Sequence, residues 1–156
     1  MLLGWDNVAD GTPKYGKEVA MAFFEWKESF NIGVEEIDRQ HREFMEYLNE
    51  INELCAMAKD TPVSREVVDQ LVRYIEKHFE YEENLFKETG YRESELQIKQ
   101  HNFFVLRVLE LQDEQLFGNV EKLNNVLGFL RDWFLNHILT VDSKYVPLVQ
   151  AITTER

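Results

Sequence analysis

Very little in this 156-residue chain would break or cross-link a helix: it has one cysteine, three prolines and seven glycines. Cys55 alone cannot form an intrachain disulfide, and the paired thiolates of structural zinc or iron–sulfur sites are missing. A lone thiol fits a reducing compartment, so the cytoplasm is the expected location. No apolar run reaches the roughly 18 residues needed to cross a bilayer, and Asp6, Asp10, Lys14 and Glu18 stand where an export signal would be apolar. A soluble, unprocessed chain with no membrane partner is therefore predicted. Basic residues are scarce as well. Against 29 Asp and Glu there are 17 Lys and Arg, a formal charge of −12 that repels phosphate backbones and argues against nucleic acid as a partner.

What is present packs a core. Hydrophobic residues make up 44% of the chain, which places it among globular proteins, and its length suits one domain. Beyond Gly33 the breakers Pro62, Gly90, Gly118 and Pro147, with Gly128 set aside, leave segments 34–60, 63–89, 91–117 and 119–146, which are helix lengths. Thr61 with Pro62 reads as an N-cap followed by proline, Gly90 as a C-terminal stop, and Ser94 with Gln97 as a capping box. Apolar positions then fall into one stripe per segment. The first is Ile37, His41, Phe44, Leu48, Ile51, Cys55 and Ala58, and the second is Val67, Leu71, Ile75, His78, Glu82 and Leu85. The third is Gln97, His101, Phe104, Val108 and Leu111, and the fourth is Leu123, Leu127, Leu130, Phe134, His137 and Val141. Four such helices joined by short loops predict an all-α antiparallel four-helix bundle over 24–156. Residues 1–23, with turn signals at Asp10-Gly11-Thr12-Pro13 and Tyr15-Gly16, read as an N-terminal arm lying across it.

The chain has four histidines, and each inward stripe contains one. A single histidine on an apolar stripe is usually a hydrogen-bonded core residue; four on four stripes ask for a common cause. Glu82 follows His78 by one helical turn on the same stripe, although a carboxylate is almost never buried unpaired. A cation at the centre accounts for both. His137 and Asp142, five apart, lie about 140° apart around an ideal helix, so Asp142 reaches the same site only if it bridges two metals or the helix end distorts. Imidazole and carboxylate without thiolate suit iron, manganese or zinc. Four imidazoles and two carboxylates crowd one ion and suit two. No Glu stands three residues before any histidine, unlike ferritin-like di-iron proteins, and Asp38 before His41 reads as a first-turn carboxylate facing the helix N-terminus.

Over about Phe24 to Val149 the chain resembles the bacterial hemerythrins. The matching pieces are Phe24-Glu25-Trp26, Asn31-Ile32-Gly33-Val34, Ile37-Asp38-Arg39-Gln40-His41, His78-Phe79-x-x-Glu82-Glu83, His101-x-x-Phe104 and Trp133-x-x-x-His137-x-x-x-x-Asp142. The resemblance implies a bundle around two non-haem iron ions, bridged by carboxylates and an oxo or hydroxo group, that binds dioxygen reversibly. It implies that His41 and His78 hold the iron that takes dioxygen, that His101 and His137 hold the other, and that Glu82 and Asp142 bridge them. It further implies that Phe79, Trp133, Phe134 and Ile138 wall the gas pocket.

One position departs from the family pattern. Where the family has a fifth histidine, one turn before the residue matched by His101, this chain has Gln97. Tyr91, six before Gln97, and Phe104, three after His101, support this alignment over one that places Val105 at the later position. Gln97 then has two readings: a metal ligand through its amide oxygen, or the capping-box partner of Ser94. The leading functional expectation is a dioxygen carrier, store or sensor. The alternatives are a di-iron oxidase or peroxidase made more reactive at Gln97, and an interaction module sensing iron, oxygen or nitric oxide.

Overall fold

The computed structural model describes residues 23–57, 65–113, 116 and 119–155. Thr61, Pro62, Ala58, Gly118 and the arm up to residue 22 lie outside them. The long helices are α1 (Glu35–Met57), α2 (Arg65–Thr89), α3 (Ser94–Leu109) and α4 (Val120–Thr140), and a short α5 (Val146–Thr154) follows. Helix α1 packs on α2 and α4, and α3 on α2 and α4, closing the antiparallel four-helix ring expected from the stripes.

Local chemistry explains the helix ends. Three acidic residues, Glu35, Glu36 and Asp38, occupy the first turn of α1, where the helix dipole favours them. Asp38 reaches back further than a first-turn carboxylate normally does. Its oxygens accept the backbone N–H of Ile32 (2.7 Å) and of Gly33 (3.1 Å), before the helix begins. Gly33 sits at φ +97°, in the left-handed region that a side chain resists, so the chain can turn sharply into α1. Gly90 at φ +65° ends α2 as expected. There the Tyr91 N–H bonds back to the Phe86 carbonyl (3.1 Å), and the two rings pack at 5.3 Å, the hydrophobic contact of a Schellman cap.

Three boundaries differ from the breaker reading. Helix α3 gives way after Leu109 to a 3-10 turn at Glu110–Gln112, well before Gly118. Helix α4 stops at Thr140. Pro147 opens a helix instead of marking a stop, because proline is tolerated in a first turn whose N–H groups have no intrahelical partner. On α2 the buried stripe passes through Val68 and Phe86, leaving Val67 and Leu85 half-buried at its margin.

The main core is centred on Phe44, Phe104 and Phe134, and a smaller one of Ile37, Phe86, Tyr91, Tyr145, Val146 and Val149 sits beneath α5. His41, His78, Glu82, Gln97, His101, His137 and Asp142 are buried along with these apolar side chains.

Candidate metal centre

Six titratable side chains from four helices and one turn converge in two groups, His41 with His78 and Glu82, and His101 with His137 and Asp142. Within each group, one ligand atom per residue lies within 4.8 Å of the others. The carboxylates link the groups. Asp142 places Oδ1 3.0 Å from His137 Nε2 and Oδ2 3.5 Å from His41 Nε2. Glu82 places Oε2 3.2 Å from His101 Nε2 and 3.5 Å from His78 Nε2, with Oε1 4.0 Å from His41 Nε2.

The end of α4 makes this arrangement possible. Val141, at φ −111° and ψ −56°, still donates its N–H to the His137 carbonyl (2.9 Å), but Asp142 starts a 3-10 turn. On a continued α-helix Asp142 would point away from His137; the tighter turn brings it round. Of the two conditions the sequence left open, distortion of the helix end is met.

Three imidazoles are oriented from behind. His78 Nδ1 meets Gln40 Oε1 at 2.7 Å, His101 Nδ1 meets Glu83 Oε1 at 3.1 Å, and His137 Nδ1 meets Gln100 Oε1 at 2.8 Å. Glu83 is a carboxylate and only accepts, so His101 carries its proton on Nδ1. Gln40 commits its amide nitrogen to Glu36 Oε1 (2.8 Å), which leaves its oxygen for the Nδ1–H of His78. With Nδ1 engaged in this way, the Nε2 of a neutral ring faces the interior as a bare lone pair. The fourth ring, His41, has no partner at Nδ1 and is held by edge contacts with His78 (4.9 Å) and Phe134 (5.5 Å).

Burial sets the direction at three of the histidines. It pushes His41 well below the ordinary histidine range, lowers His78, and brings His137 down to about 4, so these rings stay neutral at pH 7. Burial also works to raise the Glu82 carboxyl, but His78, His101 and His41 outweigh it and hold it below the usual carboxylate range. For Asp142, burial and then the nearby Glu82 charge prevail and push it well above its ordinary value. The fully buried Tyr145 hydroxyl, raised by burial and by both carboxylates, donates to Glu82 Oε1 at 2.6 Å.

A pair of metal cations fits the atoms that remain. Among the described residues, His41 Nε2, His78 Nε2, His101 Nε2, His137 Nε2, Glu82 Oε2, Gln97 Oε1 and Asp142 Oδ2 are buried without a hydrogen-bond partner. All seven can donate to a metal. Neighbouring donors on one octahedral ion with bonds of about 2.1 Å stand about 3.0 Å apart, close to the shortest Nε2-to-carboxylate separations here.

The sequence model of the hemerythrin HHE cation binding domain matches residues 32–149. The chain belongs to the hemerythrin family. It is 32% identical over 135 residues to bacteriohemerythrin from Pseudomonas aeruginosa, covering 86% of this chain and 87% of that one. With the Stenotrophomonas maltophilia bacteriohemerythrin the identity is 34% over 132 residues, 84% of each chain. A crystal structure of wild-type hemerythrin superposes with a TM-score of 0.67 at 26% identity, covering 82% of this chain and 98% of that one. Hemerythrins generally bind dioxygen at a di-iron centre, and no described helix of this member is long and apolar enough to cross a membrane.

The hemerythrin fold brings every expected ligand residue to one place. It also spreads the four expected wall residues around both groups. Phe134 lies edge-on to His41 and His78, and Ile138, four residues further along α4, is fully buried. Phe79 spans both groups, tilted against His78 (5.5 Å) and stacked on His101 (3.9 Å, 6°), while Trp133 stacks on His137 (4.6 Å, 11°) in the second group. Half-buried Trp133 also lines an outer cleft of about 320 Å³ with Lys99, Gln100 and Phe103. The capping-box reading of Gln97 is overturned: its side chain points inward, and Nε2 donates to Asp142 Oδ1 at 3.2 Å. Sequence reasoning gave no role to Gln40, Glu83, Gln100 or Tyr145. Gln40 and Glu83 lie inside the quoted motifs, whereas Gln100 and Tyr145 meet their partners only across helices, leaving no signal in the spacing.

Proposed function

We propose that this chain binds dioxygen reversibly at two non-haem iron ions, one held by His41 and His78 and the other by His101 and His137, with Glu82 and Asp142 shared. The observation behind this reading is four buried Nε2 atoms, none with a hydrogen-bond partner, set 3.0 to 3.5 Å from the oxygens of two buried carboxylates, a donor set that a pair of cations would satisfy. Bound iron supplies electrons and an open coordination position for the gas. The chain supplies orientation and exclusion of water. Gln40, Glu83 and Gln100 fix three rings and raise the basicity of their inner nitrogens. Phe134, packed on His41 and His78, and Phe79, packed on His78, keep water and its protons from that side, which favours release of dioxygen unchanged and suits carriage or storage.

The test is an anaerobic ferrous titration followed by cycles of air and inert gas under absorption spectroscopy. Two irons per chain and a charge-transfer band that appears and fades with each cycle are expected. A reproducible single iron, or a band that never reverses, overturns the reading. A di-iron oxidase is the second reading, favoured by the amide of Gln97 where an imidazole would give stronger donation; it requires steady dioxygen consumption with an added reductant.

A further inference from the structure

Gln97 is fully buried on α3, one turn before His101 and on the same helix face. Its amide is locked in one orientation. Nε2 donates to Asp142 Oδ1 at 3.2 Å, and against the ionised carboxylate that a bound metal requires, the flipped amide would set two acceptor oxygens against each other. Oε1 is therefore the atom left over, buried and without a donor. Glutamine is a poor choice for an interior position unless both ends of its amide are used.

We propose that Gln97 Oε1 is the third protein donor to the ion held by His101 and His137, while its N–H₂ group steadies the shared carboxylate of Asp142. The inference rests on the di-iron reading above. It makes the two metal positions unequal in a specific way. The second group presents two imidazoles, carboxylate oxygen and one neutral amide oxygen, a harder and weaker donor than a third nitrogen. The iron there is the more readily lost of the two.

The experiment challenges the iron-loaded full chain anaerobically with increasing ferrous chelator and counts retained iron by elemental analysis, with circular dichroism to confirm the helices. Wild type should release iron in two phases. In Gln97→His the earlier phase should move to at least tenfold higher chelator; in Gln97→Leu it should move at least tenfold lower or vanish, leaving one iron per chain. The later phase should stay in place in both. Gln97→Glu keeps an oxygen donor but loses the N–H donation to Asp142, so it should retain iron at least as well as wild type if Oε1 is the ligand.

Gln97→Leu releasing iron with the wild-type profile overturns the proposal. So does an unmoved early phase in Gln97→His, which also keeps the inference falsifiable if the leucine variant does not fold. Gln97→Glu losing iron as the leucine variant does overturns the ligand role and leaves only the contact with Asp142. Wild type holding no more than one iron is a different failure, that of the di-iron reading itself.

Discussion

Replacing Tyr145 with Phe isolates one contact. The side chain is fully buried, its ring packs against Phe86 (5.2 Å) and Tyr91 (6.2 Å), and its hydroxyl donates to Glu82 Oε1 at 2.6 Å. Phenylalanine keeps the ring contacts and removes only the donor. A hydrogen bond to a charged acceptor is worth about 1.5–3 kcal/mol, and nothing else within hydrogen-bond reach replaces it, since His41 Nε2 is 4.0 Å from the same oxygen. Tyr145→Phe should therefore destabilise the fold by about 2 kcal/mol, a fall in Tm of about 4–8 °C at this chain length. Urea and thermal unfolding of the metal-free and iron-loaded protein measure it. Tyr91→Phe is the comparison, because its hydroxyl donates to the exposed carboxylate of Glu93 (3.1 Å) and should cost less than about 0.5 kcal/mol. Equal stability of Tyr145→Phe and Tyr91→Phe would refute the claim that Tyr145 holds Glu82 in place.

Glu82→Ala should lose iron while keeping a helical circular dichroism spectrum, since a carboxylate buried among three imidazoles serves the metal more than the fold; full iron content in this variant would remove its bridging role. Metal-free protein should weaken as pH falls from about 6.5 towards 4, because unfolded histidines take up protons that His41, His78 and His137 refuse when folded, and Glu82 adds to the loss below the ordinary carboxylate range. Asp142, raised when folded, works the other way and offsets part of the slope, so urea midpoints that stay flat or rise on acidification would contradict this balance. Burial pushes the Cys55 thiol up to about 11, so at pH 8 its thiolate is about 100-fold rarer than at an ordinary pKa of 9; iodoacetamide should label native protein tens of times more slowly than urea-unfolded chain, and matching rates would show an open thiol. Asp38→Ala leaves the N–H groups of Ile32 and Gly33 without their acceptor and should cost about 2 kcal/mol in urea unfolding, with a change below about 0.5 kcal/mol counting against the cap.

Helical period is a local property, so the helices and their inward-facing set can be read from the chain alone: stripes through Phe44, Ile75, Phe104 and Leu130 show which side of each helix is buried, and the histidines lie on those stripes. The sequence also carried the family, in motifs whose spacing survives without coordinates. Tertiary structure decided what depends on neighbours from other helices. Asp142 looked misplaced on an ideal helix and reaches His137 because α4 ends in a 3-10 turn. Gln97 had an equally good local partner in Ser94, and only the approach of Asp142, 45 residues away, turned its amide inward. Tyr145 and Gln100 were silent for the same reason, since they meet Glu82 across 63 residues and His137 across 37. A periodic pattern specifies the face on which a side chain lies; the atom it meets there depends on how the helices pack.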